Sequence, residues 1–260
     1  MAKKQSGSTE IIVQEIQQGE IEFCILGTSP LILNCMSEKA KQGLLFPQAM
    51  ARDSKSERAR ALKHVPVEEF RSSVYRSIDK NTDTLLVFPS TAFKSAMMNA
   101  ALEMPGTKKS QIGRLVYVKG QNVSLYGVPQ LRMDVVRMAD ISKTPDVRTR
   151  AILSEWACKV SIKYIKPAIR YQAVANLLAA AGVIIGVGDF RQEKGKGSFG
   201  QFSIVEENDE TFQRIIKTGA RVAQEKALEN PICFDAESEN LLTWFNAEVQ
   251  KLTGGKSEAA

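Results

Sequence analysis

Glu155-Trp156-Ala157-Cys158-Lys159-Val160-Ser161-Ile162-Lys163-Tyr164-Ile165 alternates without a break. In an extended chain Trp156, Cys158, Val160, Ile162 and Tyr164 share one face, and Ala157, Lys159, Ser161, Lys163 and Ile165 share the other. One face is apolar and the opposite face carries two lysines. That is the pattern of a sheet covered by helices on one side and open to a basic solvent face on the other.

The elements around this strand fit the same sheet. Ile21 to Leu26 reads as a strand punctuated by Gly27 and Pro30, and Thr84 to Phe88 as a short one ending at Pro89. A helix follows with Ser90 as N-cap and Phe93, Ala96, Met97, Ala100, Ala101 and Met104 at helical spacing, stopped by Pro105-Gly106. Leu115 to Val118 and Val123 to Tyr126, joined by Lys119-Gly120-Gln121-Asn122, read as a hairpin, and Leu131 to Met138 as a further strand. Tyr171 to Ala181 is an apolar helix with Gly182 as its C-cap, and Gln201 to Val205 is the last strand. Helices are expected over Thr211 to Leu228, which opens with acids at its positive dipole end, and over Ser238 to Leu252. The order predicts an α+β fold on an antiparallel sheet with helices on one face. We expect one decorated domain over residues 11–206 with an inserted basic lobe at 37–83, and a helical extension over 207–252. Both ends of the sequence are small and polar and read as frayed.

Composition narrows the function classes. The 260 residues are 43% hydrophobic and 25% charged, which excludes global disorder. No apolar run approaches the ~20 residues of a membrane helix, and Met1 to Glu10 has no apolar core of a signal peptide, so no membrane partner is expected. Cys24, Cys35, Cys158 and Cys233 are scattered, and the single histidine is His64. We therefore expect no metal site and no cofactor, and a reducing cytoplasm as the setting. The net charge is +6, and it is unevenly spread. Residues 108–170 hold 13 basic and 4 acidic residues, residues 37–80 hold 10 and 6, and residues 206–240 hold 4 and 9. This segregation suits one polyanion-binding face and one acidic face, the alternative being chance clustering on a solvated surface.

The segment Gly186-Val187-Gly188-Asp189-Phe190-Arg191-Gln192-Glu193-Lys194-Gly195-Lys196-Gly197-Ser198-Phe199-Gly200 carries the chemistry. Five of the chain's 17 glycines, Gly186, Gly188, Gly195, Gly197 and Gly200, fall inside it. Without a Cβ, backbone N–H groups can approach anionic oxygens closely. Arg191, Lys194 and Lys196 add positive charge, and Phe190 and Phe199 add flat apolar faces. It is not a P-loop, because Gly197 follows Lys196 where Ser or Thr is required. Nor is it a dinucleotide fingerprint, since the glycines precede a strand instead of opening a helix. A long glycine-rich β-turn is the bland alternative; contact with a nucleic-acid backbone explains the combination better.

This loop resembles the C-terminal glycine-rich loop of the RAMP superfamily, the CRISPR-associated RNA-binding proteins with ferredoxin-like (RRM-like) folds. Phe23-Cys24-Ile25-Leu26-Gly27-Thr28-Ser29-Pro30-Leu31 is similar to the family's first strand and its turn. Phe88-Pro89-Ser90-Thr91-Ala92-Phe93-Lys94 is similar to the lead-in to its first helix. Within the superfamily the chain looks closest to the backbone subunits of Cascade-type effector complexes. The resemblance implies a non-catalytic protein that binds single-stranded RNA, or DNA, and oligomerises head to tail along it with copies of itself and other effector subunits. Phages and other mobile elements carry relatives of this fold. The chain departs from the backbone subunits in being compact and in showing no clear β-hairpin thumb.

Candidate nucleic-acid contacts follow. Lys94 sits in the first turn of its helix, where the resemblance places it against the nucleic-acid backbone. Arg191, Lys194 and Lys196 are phosphate candidates from the loop, and Lys159 and Lys163 from the open sheet face. Arg52, Arg58 and Arg60, with Lys55 and Lys63, recur along the lobe. Phe190, Phe199 and Tyr75 are candidates for base stacking, and binding is expected to be sequence-tolerant and to fall steeply with salt. Two other functions stand beside this one. A RAMP-type endoribonuclease would use an acid–base group such as His64, which has no evident partner in the sequence. A structural or inhibitor protein would use the fold to join or mimic an effector complex. No catalytic residue is assigned.

Overall fold

The computed structural model describes residues 15–36, 41, 44–45, 64–137, 145–194 and 197–254. Its main sheet is built around β8 (Ala157–Lys166), the alternating strand. β8 pairs antiparallel with β1 (Gln17–Gly27) from Gln17↔Lys166 to Leu26↔Ala157, and β9 (Phe202–Val205) takes the other edge of β1. The far edge of β8 is shared by β4 (Val116–Val118) near one end and β5 (Asn122–Tyr126) near the other, with β3 (Val87–Pro89) outermost on β5. The order β3-β5-β8-β1-β9 makes this the expected ferredoxin-like α+β fold.

The apolar face of β8 is buried throughout: Cys158, Val160 and Ile162 are inaccessible and Tyr164 nearly so. α2 (Ser90–Ala100) and α4 (Tyr171–Ala180) contribute Phe93, Met97, Val174 and Leu178 to the same core. Trp156 closes one end, its indole N–H donating to the Ser29 carbonyl at 2.9 Å. α5 (Glu210–Thr218), capped by the Asp209 carboxylate at the Phe212 N–H, adds cover on the opposite face, where Phe212 and Ile215 pack on Ala157, Cys24 and Leu26.

A second, three-stranded sheet has the order β2-β7-β6. β2 is Leu31–Ile32, β6 is Pro129–Arg137 and β7 is Pro145–Leu153. β6 and β7 form a hairpin in register from Pro129↔Leu153 to Arg137↔Pro145. β6 matches the strand expected over Leu131 to Met138, whereas β7 and the hairpin it forms were not expected.

Several expectations change locally. Residues 115–118 and 123–126 form no hairpin ladder with one another, because each pairs with β8. Gly182 does not cap α4; the helix continues as a π-helical turn over Ala181–Ile185 and stops at Gly186, whose φ is +73°. The single helix expected over 211–228 is two, α5 and α6 (Arg221–Glu229), broken at Gly219-Ala220. Two further helices are α3 (Lys109–Leu115) and α7 (Ala236–Gly254). Within residues 37–83, α1 (Pro66–Ser72) buries Phe70 and Val74 follows it inward, while Leu44, Leu45 and Ile78 are exposed.

Candidate nucleic-acid interface

The glycine segment and the start of α2 face each other across a cleft of about 490 Å³. Pro89 terminates β3 and leads into α2. Ser90 is the first helical residue and not a cap: its hydroxyl donates to the Gly120 carbonyl at 2.6 Å, and no side chain caps the helix. Thr91 and Ala92 of this uncapped turn line the cleft. First-turn N–H groups have no intrahelical acceptor and carry the positive end of the helix dipole, so this wall suits an anion.

The opposite wall is Gly186 to Asp189. Its backbone is fixed by Val187 N–H to the Gly200 carbonyl (2.9 Å), Gly200 N–H to Pro30 (2.8 Å) and Asp189 N–H to Ile32 (3.0 Å). Gly200 has φ +72°, and a Cβ there would stand 1.7 Å from the Val187 oxygen, so only glycine closes the loop. Asn34 and Tyr75 form the third wall. Burial pushes the Tyr75 hydroxyl above its ordinary pKa, which keeps it a neutral donor, here to the Asn34 carbonyl at 3.3 Å.

The charged residues lining the cleft are Asp189, Arg191 and Glu193, and all are engaged. Asp189 accepts from Arg150 Nη1 (2.6 Å) and Asn34 Nδ2 (2.9 Å). Arg191 is held by Glu193 at 2.6 Å and donates to the Gly188 carbonyl at 3.1 Å, while Glu193 also accepts from Asn99. Behind the loop, Arg150 Nη2 reaches Asp134 at 2.8 Å, and Asp134 binds Arg132 at 2.9 Å. This chain of charges ties the hairpin to the glycine segment. Nothing local in the sequence announces it, since Asp134 and Asp189 are 55 residues apart.

The sequence-derived contacts scatter more than expected. Gly186 and Gly188 line the cleft, and Gly197 and Gly200 close the loop beneath it. Lys194 ends a 3-10 turn, and Gly195 and Lys196 lie outside the described residues, as do Arg52, Lys55, Arg58, Arg60 and Lys63. Lys94 is half-buried on α2 but is not part of the cleft lining, and among the described residues no hydrogen bond or ion pair engages it. The open sheet face is not basic. Lys159 is bound by Glu207, which raises its pKa, while Lys163 and Lys119 share Glu20 at 3.8 and 2.8 Å. His64 has partners after all: Glu69 at Nδ1 (2.8 Å) and Asp146 at Nε2 (3.1 Å), in a separate cleft beside β7. Among the described residues no group of three or more His, Cys, Asp or Glu is placed to hold a metal ion, and no helix is long and apolar enough to cross a membrane.

The bases that sequence reasoning passed over lie at the other end of the sheet. Lys108, Lys109 and Arg114 on and before α3, and Lys166 at the end of β8 with Arg170 after it, are exposed. The register Val116↔Tyr164 brings these segments together. The raw excess over 108–170 was the available signal.

No family model and no curated protein sequence matches the chain. Two solved structures that share some of its shape are a type III-B Cmr-beta complex bound to cognate target RNA and Cmr6 from Pyrococcus furiosus. The first aligns at 11% identity and a TM-score of 0.36 over 73% of this chain, spanning 59% of the matched one. The second aligns at 8% identity and a TM-score of 0.33, over 73% of this chain and 98% of the other. Overlaps this loose carry no function across.

Proposed function

We propose that this chain binds single-stranded nucleic acid, RNA by preference, through its backbone and without cleaving it. The observation that carries the reading is the cleft itself. An uncapped helix N-terminus faces a glycine-closed loop across a cleft of about 490 Å³, so first-turn N–H groups of α2 can meet a phosphate that the glycines leave room for. The loop's Lys194 and Lys196 belong to the same segment. The resemblance to RAMP proteins supplies the polymer: RNA lined by subunits of a Cascade-type or related effector assembly, repeated head to tail in the cytoplasm. It extends equally to a phage-borne relative that joins such an assembly.

A non-catalytic role is supported by where the acid–base groups are. The single histidine sits in a different cleft with carboxylates at both ring nitrogens. Asp189 and Glu193, the carboxylates of the proposed site, are each held by an arginine. Neither arrangement leaves a proton acceptor free beside a bound phosphate.

Gel-shift titrations with single- and double-stranded RNA and DNA at two salt concentrations test the reading. Preferential binding of single-stranded RNA that weakens with salt is expected, with the RNA recovered intact. Absence of binding at low salt, or cleavage lost in His64→Ala, overturns it.

A further inference from the structure

Phe190 is the one non-glycine residue with positive φ among the described residues, at +51°. L-residues with a Cβ avoid this region, and aromatic side chains have no local hydrogen bond to offset it. Such a conformation persists only where its surroundings over-determine it, and here they do. The Phe190 N–H is held by Asp189 Oδ1 at 2.9 Å. Asp189 is in turn held by Arg150 and Asn34. On the other side, Gly197 lies so close that a Cβ would stand 1.5 Å from the Phe190 oxygen. Arg191 and Phe199 bridge the two arms of the loop.

All this construction leaves the ring in solvent. Phe190 is 44% exposed, although the backbone on either side of it is bonded to Ile32 and Phe199. Its inner side meets Phe199 at 6.0 Å between centroids and 33° between planes. Phe199 is covered by the Arg132 guanidinium at 4.7 Å, and Arg132 also lies 5.9 Å from the Phe234 ring. Phe190, Phe199, Arg132 and Phe234 thus form a connected series of ring, ring, cation and ring in which Phe190 and Phe199 are tilted by 33°, tied through Asp134 and Arg150 back to Asp189. Phe190 is its outermost member. Because Asp189 and Arg191 line the cleft and Phe190 does not, the ring stands on the flank of the loop, beside the cleft.

We propose that Phe190 is a nucleobase platform, held in a strained backbone so that a base stacks on its outer face while the adjoining phosphate occupies the cleft. This rests on the reading that the chain binds single-stranded nucleic acid. Stacking on a flat hydrocarbon face accepts every base, so the platform adds affinity and register without sequence preference. Asp189 and Arg150 act as positioning residues: they fix the pose of the ring without touching the base.

The test uses the full chain and short single-stranded RNAs in which the fluorescent analogue aminopurine replaces each base in turn. Wild type should quench aminopurine on binding. Phe190→Ala should abolish that quenching and weaken binding roughly five- to 150-fold, the range for loss of one stacked base, with the salt slope unchanged because no phosphate contact is lost. Phe190→Trp should keep both quenching and affinity. Phe190→Asn suits left-handed backbone, so it should melt no lower than wild type and still lose quenching. If Phe190→Asn and Phe190→Ala quench and bind as wild type does, the platform is wrong and the binding function stands. If both variants lose salt dependence together with affinity, the ring only props the loop, which also overturns the platform. If wild type fails to bind RNA at low salt, the underlying function falls first.

Discussion

Arg150→Met removes the centre of the charge chain that joins the hairpin to the glycine segment. The Arg150 side chain is 8% exposed, and its two terminal nitrogens sit 2.8 Å from Asp134 and 2.6 Å from Asp189. Deleting one partner of a buried pair costs about 3–5 kcal/mol, mainly because the remaining charge is left uncompensated. Asp134 and Asp189 are 20% and 35% exposed, so water takes up part of that charge. Arg150 Nε is buried without a partner, so the arginine is itself incompletely compensated in the native state. Both corrections lower the figure, to about 2–3 kcal/mol. For a chain of this size that corresponds to a fall in melting temperature of about 4–12 °C. The decisive comparison is with the triple variant Arg150→Met, Asp134→Asn, Asp189→Asn. It removes both carboxylates that Arg150 compensated and leaves only Arg132, 17% exposed beside the Phe199 and Phe234 rings, without its partner, so it should recover part of the loss. Thermal unfolding of wild type, single and triple variants measures this directly. A single variant that melts with wild type, or a triple variant no better than the single, refutes the claim that the latch holds through charge compensation.

Gln224 is buried between α6 and the sheet. Its Oε1 accepts from Leu85 and Leu86 N–H at 2.8 and 2.9 Å, and its Nε2 serves the carbonyls of Leu125, Gly127 and Gly219. Gln224→Leu keeps the volume and strands those groups, so urea denaturation should show a loss of about 2–4 kcal/mol. Lys94→Ala should lower the slope of log affinity against log salt by about 0.7, the value per phosphate on a single strand. Lys159→Ala should leave the slope alone, because Glu207 already occupies that ammonium; a fall in slope there would show that RNA displaces the carboxylate. The bidentate hydrogen bond from Arg214, at 2.8 and 2.6 Å, holds the Glu155 carboxyl below its ordinary pKa. That contribution is present above the ordinary glutamate pKa and is lost as pH falls through the lowered native value. Melting curves of wild type and Arg214→Ala should therefore converge on acidification and separate towards neutrality, and parallel curves would refute the assignment.

Local periodicity made some of this fold legible and hid the rest. β8 could be read because its faces alternate over its whole length, and α2 and α4 because Phe93, Met97, Val174 and Leu178 recur at helical spacing. β7 escaped because its two halves obey different rules. Asp146 to Arg150 alternates polar with small or β-branched residues, while Ala151-Ile152-Leu153 is buried outright between β2 and β6. The β4–β5 turn signal was correct as a turn. The partner was misjudged, since an edge of β8 some 40 residues later captured both strands. The glycine loop was visible as a site from its composition. Its supports were not, because Arg150, Asn34 and Arg132 reach it from three separate stretches of chain.

Charge separated along a chain need not be separated in space. Of the bases in 108–170, Lys119, Arg132, Arg150, Lys159 and Lys163 all face carboxylates contributed by β1, β6, the glycine segment or residue Glu207. The sheet face that looked basic is therefore internally neutral, and a polyanion meeting it would have to displace acids already in contact. Exposed bases such as Lys108, Lys109, Arg114, Lys166 and Arg170 are instead gathered about α3 and the end of β8, and the Val116↔Tyr164 pairing joins those two segments. This divides the expected salt dependence between two surfaces. If RNA is held about the glycine segment and α2 alone, three lysine–phosphate contacts would give a slope of about −2, from ~0.7 per phosphate. If the strand continues to the far end of the sheet, each base engaged there adds a similar increment. Replacing Lys108, Lys109 and Arg114 together with alanine then decides between a short site and a track along the domain. An unchanged slope confines the RNA to the cleft, and a loss of about 2 extends it.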